Sequence, residues 1–314
     1  MKIVFMGTPE FAVPSLQALI DAGYEIALVV TQPDKKGNRN KIIPSPVKVL
    51  AESNGLEIAQ PQRMRKDQEF IDRLASIAPD MIVVAAFGQI LPKSVLDIPR
   101  YGCINVHGSL LPDLRGASPM QTSVRLGYKE TGVTIMQMAE GLDTGDMIAK
   151  VSCNIEGLYI NEVTAKLAAA GAELLAATIP TIADGTAVYE KQDDALATCC
   201  GMMSKEDGAT DFNESAWTLE CKMRAYCEWP TLYSYLDGLQ VKFFRGEALM
   251  DETPDGEPGT VSEITKKYYT INCAEGKFRV DEQQLQGKKR MSAGDFMRGH
   301  KLSIGDKFGL VSSI

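Results

Sequence analysis

The chain has 314 residues, which favours two domains, and its 45% hydrophobic and 24% charged content are typical of a soluble globular protein. The formal net charge of −8 argues against a protein that coats nucleic acid non-specifically, but it leaves room for a local basic patch. No apolar run is long enough to predict a membrane span or a signal peptide, so no membrane partner and a cytoplasmic location are expected.

The seven cysteines are odd in number and irregularly spaced, and no C-x-x-C motif occurs. This pattern predicts reduced thiols in a reducing compartment rather than a disulfide framework. The chain has only two histidines, His107 and His300, so a zinc site built from Cys and His is not expected, and we predict no metal.

The first half of the chain alternates segments typical of buried strands with segments typical of helices. In chain order the pattern predicts a strand at 2–7, a helix at 9–23, a strand at 25–32, helices at 45–55 and 66–78, strands at 80–88, 102–108, 132–138 and 146–155, and a helix at 161–183. Because the strands are apolar on both faces, they predict a doubly wound, Rossmann-like α/β domain with a mostly parallel sheet. Ligands of such domains bind beyond the carboxyl ends of the strands, where Gly7, Gly88 and His107 are expected.

After Tyr189 the periodicity is lost, and residues 190–206 are predicted to form a linker. A helix at 215–226 and short strands at 232–236, 241–249, 259–264, 268–274 and 277–285 follow, with turns rich in Gly, Pro and Asp between them. These elements predict a smaller antiparallel β domain of barrel type. The predicted organisation is an α/β domain at residues 1–189, the linker, and a β domain at residues 207–314.

The loop TQPDKKGNRNKIIPSPVK, after the second predicted strand, is basic although the chain is acidic. It contains one aspartate and five cationic residues: Lys35, Lys36, Arg39, Lys41 and Lys48. One interpretation is a solvated surface loop. The other is a loop whose Lys and Arg side chains contact the phosphates of a polyanion, and its place near the ligand-binding edge of the sheet keeps both open.

Two other segments, AAFGQILP and HGSLLP, leave neighbouring strand ends and finish in a proline after a leucine. Apolar loops with free backbone groups make good walls for a flat heterocycle, although each could also be a plain strand-to-helix connection. Because two such loops leave neighbouring strand ends, they suggest a narrow binding site between them for a flat heterocycle. By contrast, the first strand-to-helix turn, MGTPEFA, lacks the G-x-G-x-x-G fingerprint, so a nicotinamide-dependent enzyme is weakly supported.

Three polar residues form the most specific candidate catalytic site. Asn105 and His107 share one face of a predicted strand because side chains alternate with a period of two, and Asp143 follows in the segment EGLDTGD. Taken singly, they are explained as a core histidine and two turn-forming residues. Together, an amide, an imidazole and a carboxylate fit acyl or formyl transfer, in which Asn105 polarises a carbonyl, His107 stabilises the oxyanion, and Asp143 holds His107 and accepts a proton.

Several motifs resemble those of the methionyl-tRNA formyltransferases, which belong to the wider family of formyltetrahydrofolate-dependent transferases. These are MGTPEFA, TQPDKK with PSPVK, FGQILP, INVHGSLLPDLRGASP, TGVTIMQMAEGLDTGDM, SKEDGATDF and MRAYCEWPTLYSYLDG. The resemblance covers nearly the whole chain. The SLLP and RGASP segments after the histidine are more specific than the N-x-H spacing alone.

The resemblance implies transfer of the formyl group of 10-formyltetrahydrofolate to the α-amino group of methionyl-initiator-tRNA, giving N-formylmethionyl-tRNA and tetrahydrofolate for translation initiation. It implies that Asn105, His107 and Asp143 are the catalytic residues. It implies a folate site lined by Phe87, Gly88, Gln89, Ile90, Leu91, Pro92, Ser109, Leu110, Leu111 and Pro112. It also implies that Lys35, Lys36, Arg39 and Lys41 bind tRNA and that the β domain is OB-like and helps to hold tRNA. A monomer is expected.

Three alternatives remain open at this point. The first is another formyltetrahydrofolate enzyme that acts on a small amine or on water, which would need neither the basic loop nor the β domain. The second is a non-catalytic RNA-binding protein with an OB-like module, which leaves Asn105, His107 and Asp143 without a purpose. The third is the nicotinamide-dependent enzyme, against which the missing fingerprint counts.

Overall fold

The computed structural model describes residues 1–36 and 42–310, and the contacts within it divide the chain into two compact units. The first unit contains Met1–Met120, Glu130–Asn154 and Glu162–Gly201. The second contains Gln121–Lys129, Ile155–Asn161 and the described part of Met202–Ile314. The domain limits at 1–189 and 207–314 remain a prediction.

The predicted strands and helices are found in the structure with small differences at their ends. The strands of the described residues are β1 (Lys2–Gly7), β2 (Glu25–Val30), β3 (Lys35–Lys36), β4 (Ile42–Ile43), β5 (Ile58–Ala59), β6 (Met81–Ala85), β7 (Cys103–His107), β8 (Arg115–Gly116), β9 (Glu130–Gln137), β10 (Met147–Asn154), β11 (Cys199–Cys200), β12 (Leu232–Leu236), β13 (Leu239–Leu249), β14 (Val261–Ile264), β15 (Tyr269–Asn272), β16 (Lys277–Leu285) and β17 (Met291–Ser292). The α-helices are α1 (Val13–Asp21), α2 (Pro46–Ser53), α3 (Gln68–Ile77), α4 (Lys93–Leu96), α5 (Pro119–Arg125), α6 (Ile160–Asp184), α7 (Ala216–Ala225) and α8 (Ala293–Gly299).

Polar side chains cap several of these helices. Ser45 accepts a hydrogen bond from the Lys48 N–H at the start of α2, and Pro46 takes the first helical position, where its missing N–H is not needed. Ser215 caps α7 in the same way. Each cap satisfies one of the free N–H groups at a helix start and so sets where the helix begins.

The first unit contains a seven-stranded sheet in the order β10-β9-β7-β6-β1-β2-β5. The central strands β7, β6, β1, β2 and β5 are parallel to one another, whereas β9 is antiparallel to β7 and β10 is antiparallel to β9. The prediction of a mostly parallel, doubly wound α/β sheet is confirmed. The parallel strands bring the carboxyl ends of β1, β6 and β7 to one edge of the sheet, where ligands bind in this class of fold.

Helix α6 covers one face of this sheet. Its buried residues recur every three or four positions, which is typical of a helix packed on a core, and they include Val163, Leu167, Leu175, Ile179 and Ile182. A Cβ atom at Gly171 would lie 3.0 Å from Val106 Cγ1, so the helix lies directly on β7. By length and composition α6 passes for a membrane span, contrary to the sequence prediction, but 44% of its most apolar window is buried within the protein. These contacts favour a core helix.

The second unit is built on an antiparallel sheet in the order β12-β13-β16-β15-β14, with β17 paired to β16. The segment around Gly309 bridges both edges of this sheet: Gly309 pairs with Tyr235 of β12, and Lys307 pairs with Thr260 beside β14. This closes the sheet into a small barrel around an aromatic core that includes Phe243, Tyr269, Phe278, Phe296 and Phe308. The predicted smaller β domain is therefore present.

Part of the segment predicted as a linker takes an ordered place in the first unit. Strand β11 pairs in parallel with β8, so that Cys199 lies opposite Arg115 and Cys200 opposite Gly116. Glu190 forms an isolated bridge with Met147. Sequence periodicity missed this segment because a pair of two-residue strands has no periodic pattern to detect.

Candidate active site

Strand β7 carries Asn105 and His107 on the face opposite α6. Asn105 lies beside Val84 of β6 in the parallel register, and His107 lies opposite Thr134 of β9. Val106, between them, points to the other face and contacts α6. The sequence prediction that the two polar side chains share a face at the carboxyl end of a strand agrees with this register.

Asp143 reaches the same place from the loop between β9 and β10. Its Oδ2 atom lies 3.7 Å from Nδ1 of His107 and accepts a hydrogen bond of 2.9 Å from the Gly116 N–H. The side chains of His107 and Asp143 are 5% and 13% exposed, so little water screens their interaction. Asp143 has φ +51, a left-handed conformation that aspartate adopts more readily than most residues.

The surroundings of His107 decide which of its ring nitrogens holds the proton. Nε2 lies 3.1 Å from the Leu114 carbonyl oxygen, which can only accept, so Nε2 carries hydrogen and Nδ1 faces Asp143. Burial lowers the pKa of His107 below its usual value, while the Asp143 carboxylate and the Leu114 carbonyl act to raise it. The resting imidazole is therefore neutral at pH 7, with Nδ1 ready to accept a proton beside a carboxylate.

The amide of Asn105 is available for a substrate. Asn105 is 9% exposed, and its side chain makes no hydrogen bond within residues 1–36 and 42–310. Its amide atoms are not among the fully buried polar atoms that lack a partner, so they keep some accessible surface. Its NH₂ group is thus a donor for an oxygen atom that arrives next to His107.

Hydrogen bonds hold the turn that follows β7. Thr134 Oγ1 donates to the Ser109 carbonyl over 2.7 Å and accepts from the Leu111 N–H over 3.0 Å. Ser109 and Leu111 are buried, whereas Leu110 and Pro112 are partly exposed. Of the four residues predicted to line a ligand here, Leu110 and Pro112 present side-chain surface, and Ser109 and Leu111 shape the turn.

The loop after β6 also contains both exposed and buried residues. Gly88 and Ile90 are exposed, Gln89 and Pro92 are partly exposed, and Phe87 and Leu91 are buried. The Gln89 side chain accepts from the Met64 N–H over 2.8 Å and donates to the Pro61 carbonyl over 2.9 Å. The loop is therefore tied to the segment that follows β5, and Ile90 offers an apolar surface at its tip.

A cavity of about 660 Å³ adjoins this loop. It is lined by Gln32, Pro33, Asp34, Gln62, Arg63, Arg65, Gly88, Gln89 and Ile90. Asp34 is paired with Lys48 at 2.5 Å, and hydrogen bonds from Lys48 and Gln60 lower its pKa. Neither Arg63 nor Arg65 forms an ion pair with any described residue, so the cavity carries uncompensated positive charge. These arginines are not predicted from the sequence, because their one signal is their place just after a short edge strand.

The predicted nucleic-acid contacts fall in a part of the chain that is only partly described. Lys35 and Lys36 form the strand β3, whose backbone pairs with β4 in an antiparallel register. Arg39 and Lys41 lie outside the described residues. For metals, no group of three His, Cys, Asp or Glu residues in the described ranges is arranged to bind an ion.

A solved structure shares this fold. The N-formyltransferase from Helicobacter canadensis, in complex with folinic acid and dTDP-3-aminofucose, superposes with a TM-score of 0.68 over 93% of this chain and 100% of that chain. The sequences are 16% identical, so the likeness concerns the fold alone.

Sequence relatives narrow the assignment. The formyl transferase family model matches residues 1–179, and the model of the formyl transferase C-terminal domain matches residues 202–301. The methionyl-tRNA formyltransferase of Geotalea uraniireducens is 46% identical over 311 residues, covering 98% of each chain. That of Bacillus subtilis is 43% identical over 312 residues, again covering 98% of each chain. The chain therefore belongs to the formyl transferase family and, within it, to the methionyl-tRNA formyltransferases.

Proposed function

We propose that this chain transfers the formyl group of 10-formyltetrahydrofolate to the α-amino group of methionine esterified to initiator tRNA. The observation that carries the proposal is the grouping of the Asn105 amide, the His107 imidazole and the Asp143 carboxylate at the carboxyl end of β7. The close relatives of this chain are enzymes named for the same reaction.

The chemistry balances with these groups alone. The α-amino nitrogen forms a bond to the formyl carbon, an oxyanion develops on the formyl oxygen, and the bond from that carbon to N10 of the folate breaks. The amine loses one proton and N10 gains one, so the protein must accept a single proton and return it. Esterification lowers the pKa of the amine below that of a free amino acid, so a useful neutral fraction exists near pH 7.

Each residue then has a defined part. Asn105 donates a hydrogen bond to the formyl oxygen and stabilises the oxyanion. His107 is expected from the sequence to stabilise the oxyanion, but its Nε2–H faces the Leu114 carbonyl, so we assign it a different role: Nδ1 is the nitrogen that takes the proton and returns it. The carboxylate of Asp143, 3.7 Å from Nδ1, stabilises the imidazolium that forms when Nδ1 takes the amine proton directly or through water.

We propose that the folate co-substrate binds at the two loops beside this group. We propose that residues 87–92 and 109–112 bind its pterin ring, with side-chain contacts from Ile90, Leu110 and Pro112 and backbone contacts from the rest. The carboxylates of its glutamate would then meet Arg63 and Arg65 in the adjoining cavity. The N-formyltransferase from Helicobacter canadensis, which has this fold, binds folinic acid, and this supports a folate in the present chain.

The tRNA is the larger substrate. We propose that Lys35, Lys36, Arg39 and Lys41 contact phosphates near its acceptor end and that the β domain at 207–314 helps to hold it. We further propose that the enzyme acts as a monomer in the cytoplasm, without a membrane partner and without a metal.

The test is incubation with 10-formyltetrahydrofolate and either charged initiator or charged elongator methionyl-tRNA. Formylation of the initiator alone would support both the reaction and its specificity. Formylation of free methionine or another small amine at a comparable kcat/KM would contradict the assignment of tRNA as the substrate.

A further inference from the structure

A single side chain holds the backbone of the loop that carries Asp143. The Gln192 Nε2 group donates hydrogen bonds to two carbonyl oxygens of that loop, over 2.8 Å to Asp143 and over 2.7 Å to Gly145. Gln192 belongs to the segment between α6 and β11, which the sequence predicts only as a linker. Its amide uses both of its N–H donors on carbonyls that flank one turn.

The orientation of this amide is set by Arg115. The Arg115 Nε–H donates to Oε1 of Gln192 over 2.8 Å. A guanidinium has no acceptor, so the oxygen end of the amide must face Arg115 and the nitrogen end must face the Asp143 loop. Arg115 is itself 7% exposed and pairs with Asp194 over 2.8 Å, which keeps the guanidinium in place.

The loop needs this support because its conformation is demanding. Asp143 has φ +51, a conformation that is uncommon outside glycine. At Gly145 the backbone runs so close to Gln137 that a Cβ atom would lie 1.8 Å from the Gln137 carbonyl oxygen. Gly116, next to Arg115, donates its N–H to the Asp143 carboxylate. Two adjacent residues of β8 therefore act on Asp143, one through its carboxylate and the other through Gln192.

We propose that Gln192 is a positioning residue for the transfer reaction, which it serves by holding the Asp143 loop so that the carboxylate stays beside His107, with Arg115 orienting the amide. The role rests on the proposed function, since Gln192 acts only through Asp143. It assigns part of the segment predicted as a linker to the support of the active site, through two hydrogen bonds to the Asp143 loop.

The first test is Gln192→Glu. A glutamate keeps the acceptor for Arg115 and nearly the same shape, but it cannot donate to the two carbonyls. We expect kcat to fall by about 10²-fold, with KM for both substrates changed by less than about threefold, since a catalytic group displaced by about 1 Å costs this much. Gln17→Glu makes the same change at an amide whose one hydrogen-bond partner among the described residues is Asp21, so it is the control and should keep the wild-type kcat. A wild-type kcat in Gln192→Glu would overturn the proposal.

A second variant keeps the test decisive if Gln192→Glu does not fold. Gln192→Met has a similar length, adds no charge and removes both donors, so we expect the same loss of kcat. The readout that separates positioning from general structure is the protonation midpoint of His107, followed by NMR with ¹⁵N-labelled histidine. The chain has two histidines, and a His300→Gln variant assigns the spectrum.

The direction of the NMR change follows from the site. The Asp143 carboxylate raises the pKa of His107 against the effect of burial, so displacing it should move the midpoint to lower pH. An unchanged midpoint together with wild-type kcat in Gln192→Met overturns the proposal. If the midpoint shifts in Gln192→Met but the wild-type protein shows no formyl transfer, Gln192 still positions Asp143 and the proposed function is wrong.

Discussion

The Oδ2 atom of Asp143 lies 3.7 Å from Nδ1 of His107, while the other ring nitrogen lies 3.1 Å from the Leu114 carbonyl oxygen. The imidazole is therefore held from both sides, and a proton can be added only at the nitrogen that faces Asp143. This arrangement makes His107 and Asp143 one proton-handling unit.

The negative charge of Asp143 is expected to be essential for transfer, and Asp143→Asn removes that charge while keeping the shape of the side chain. In Asp143→Asn the amide oxygen can still accept from the Gly116 N–H, so the loop should keep its place. The variant lacks the charge that stabilises a protonated His107, and we expect single-turnover transfer to slow by about 10²–10⁴-fold. Asp97→Asn, at an exposed pair with Lys93, is the control. A near-wild-type rate in Asp143→Asn would sink the catalytic role.

Burial of His107 predicts a pH-dependent contribution to stability. Because the folded pKa lies below the usual 6.5, the unfolded chain binds the proton more readily in the window between the two values. Stability is therefore fully present above that usual value and is lost as the pH falls through the window. Urea unfolding at about pH 7.5 and about pH 5.5 should show a smaller loss in His107→Gln than in the wild type. An equal loss in both proteins would contradict the buried, neutral imidazole.

Gly116 is expected to tolerate no side chain. Its φ is +122, and a Cβ atom there would lie 2.1 Å from the Cys200 carbonyl oxygen, so Gly116→Ala must move the backbone N–H that holds Asp143. We expect a loss of about 1–3 kcal/mol in the free energy of unfolding, and a slower transfer rate. Gly55→Ala has a positive φ but nothing within 4 Å, so it should lose about 1 kcal/mol and keep the wild-type rate. Equal effects of the two substitutions would argue against the close contact at Gly116.

The two arginines of the cavity are predicted to bind the carboxylates of the folate. The double variant Arg63→Gln with Arg65→Gln should raise KM for 10-formyltetrahydrofolate by about 10-fold or more, because charge-assisted hydrogen bonds contribute about 1.5–3 kcal/mol. The kcat should change little, since in the proposed binding mode these groups contact the glutamate part of the folate and not the formyl group. Arg73→Gln, at an exposed pair with Glu57, is the matched control. An unchanged KM would exclude the cavity from folate binding.

The basic loop is predicted to act on tRNA and not on folate. Replacing Lys35, Lys36, Arg39 and Lys41 with glutamine should weaken tRNA binding and leave KM for the folate unchanged. Each lost phosphate contact should also reduce the slope of log affinity against log salt by about 0.7–0.9. Binding titrations at several salt concentrations measure this slope. A slope equal to that of the wild type would favour a solvated loop.

Local pattern was enough to predict most of the fold. The strands β1, β6 and β7 are short apolar runs, and burial on both faces is what a parallel sheet between helices requires. The directions of β9 and β10 were not predicted, since a buried antiparallel strand has the same apolar pattern as a parallel one. The pairing of β11 with β8 was missed because elements of two residues have no period.

The sequence by itself determined that Asn105 and His107 share a face at a strand end, because alternation along a strand is a local property. The family motifs then associated Asp143 with them. Only the tertiary structure decided the 3.7 Å approach of Asp143 to His107, the tautomer set by Leu114, and the support of the Asp143 loop by Arg115 and Gln192. These contacts join residues far apart in the chain, and their geometry depends on how the loops cross above the sheet. The periodicity of the sequence does not predict how these loops come together.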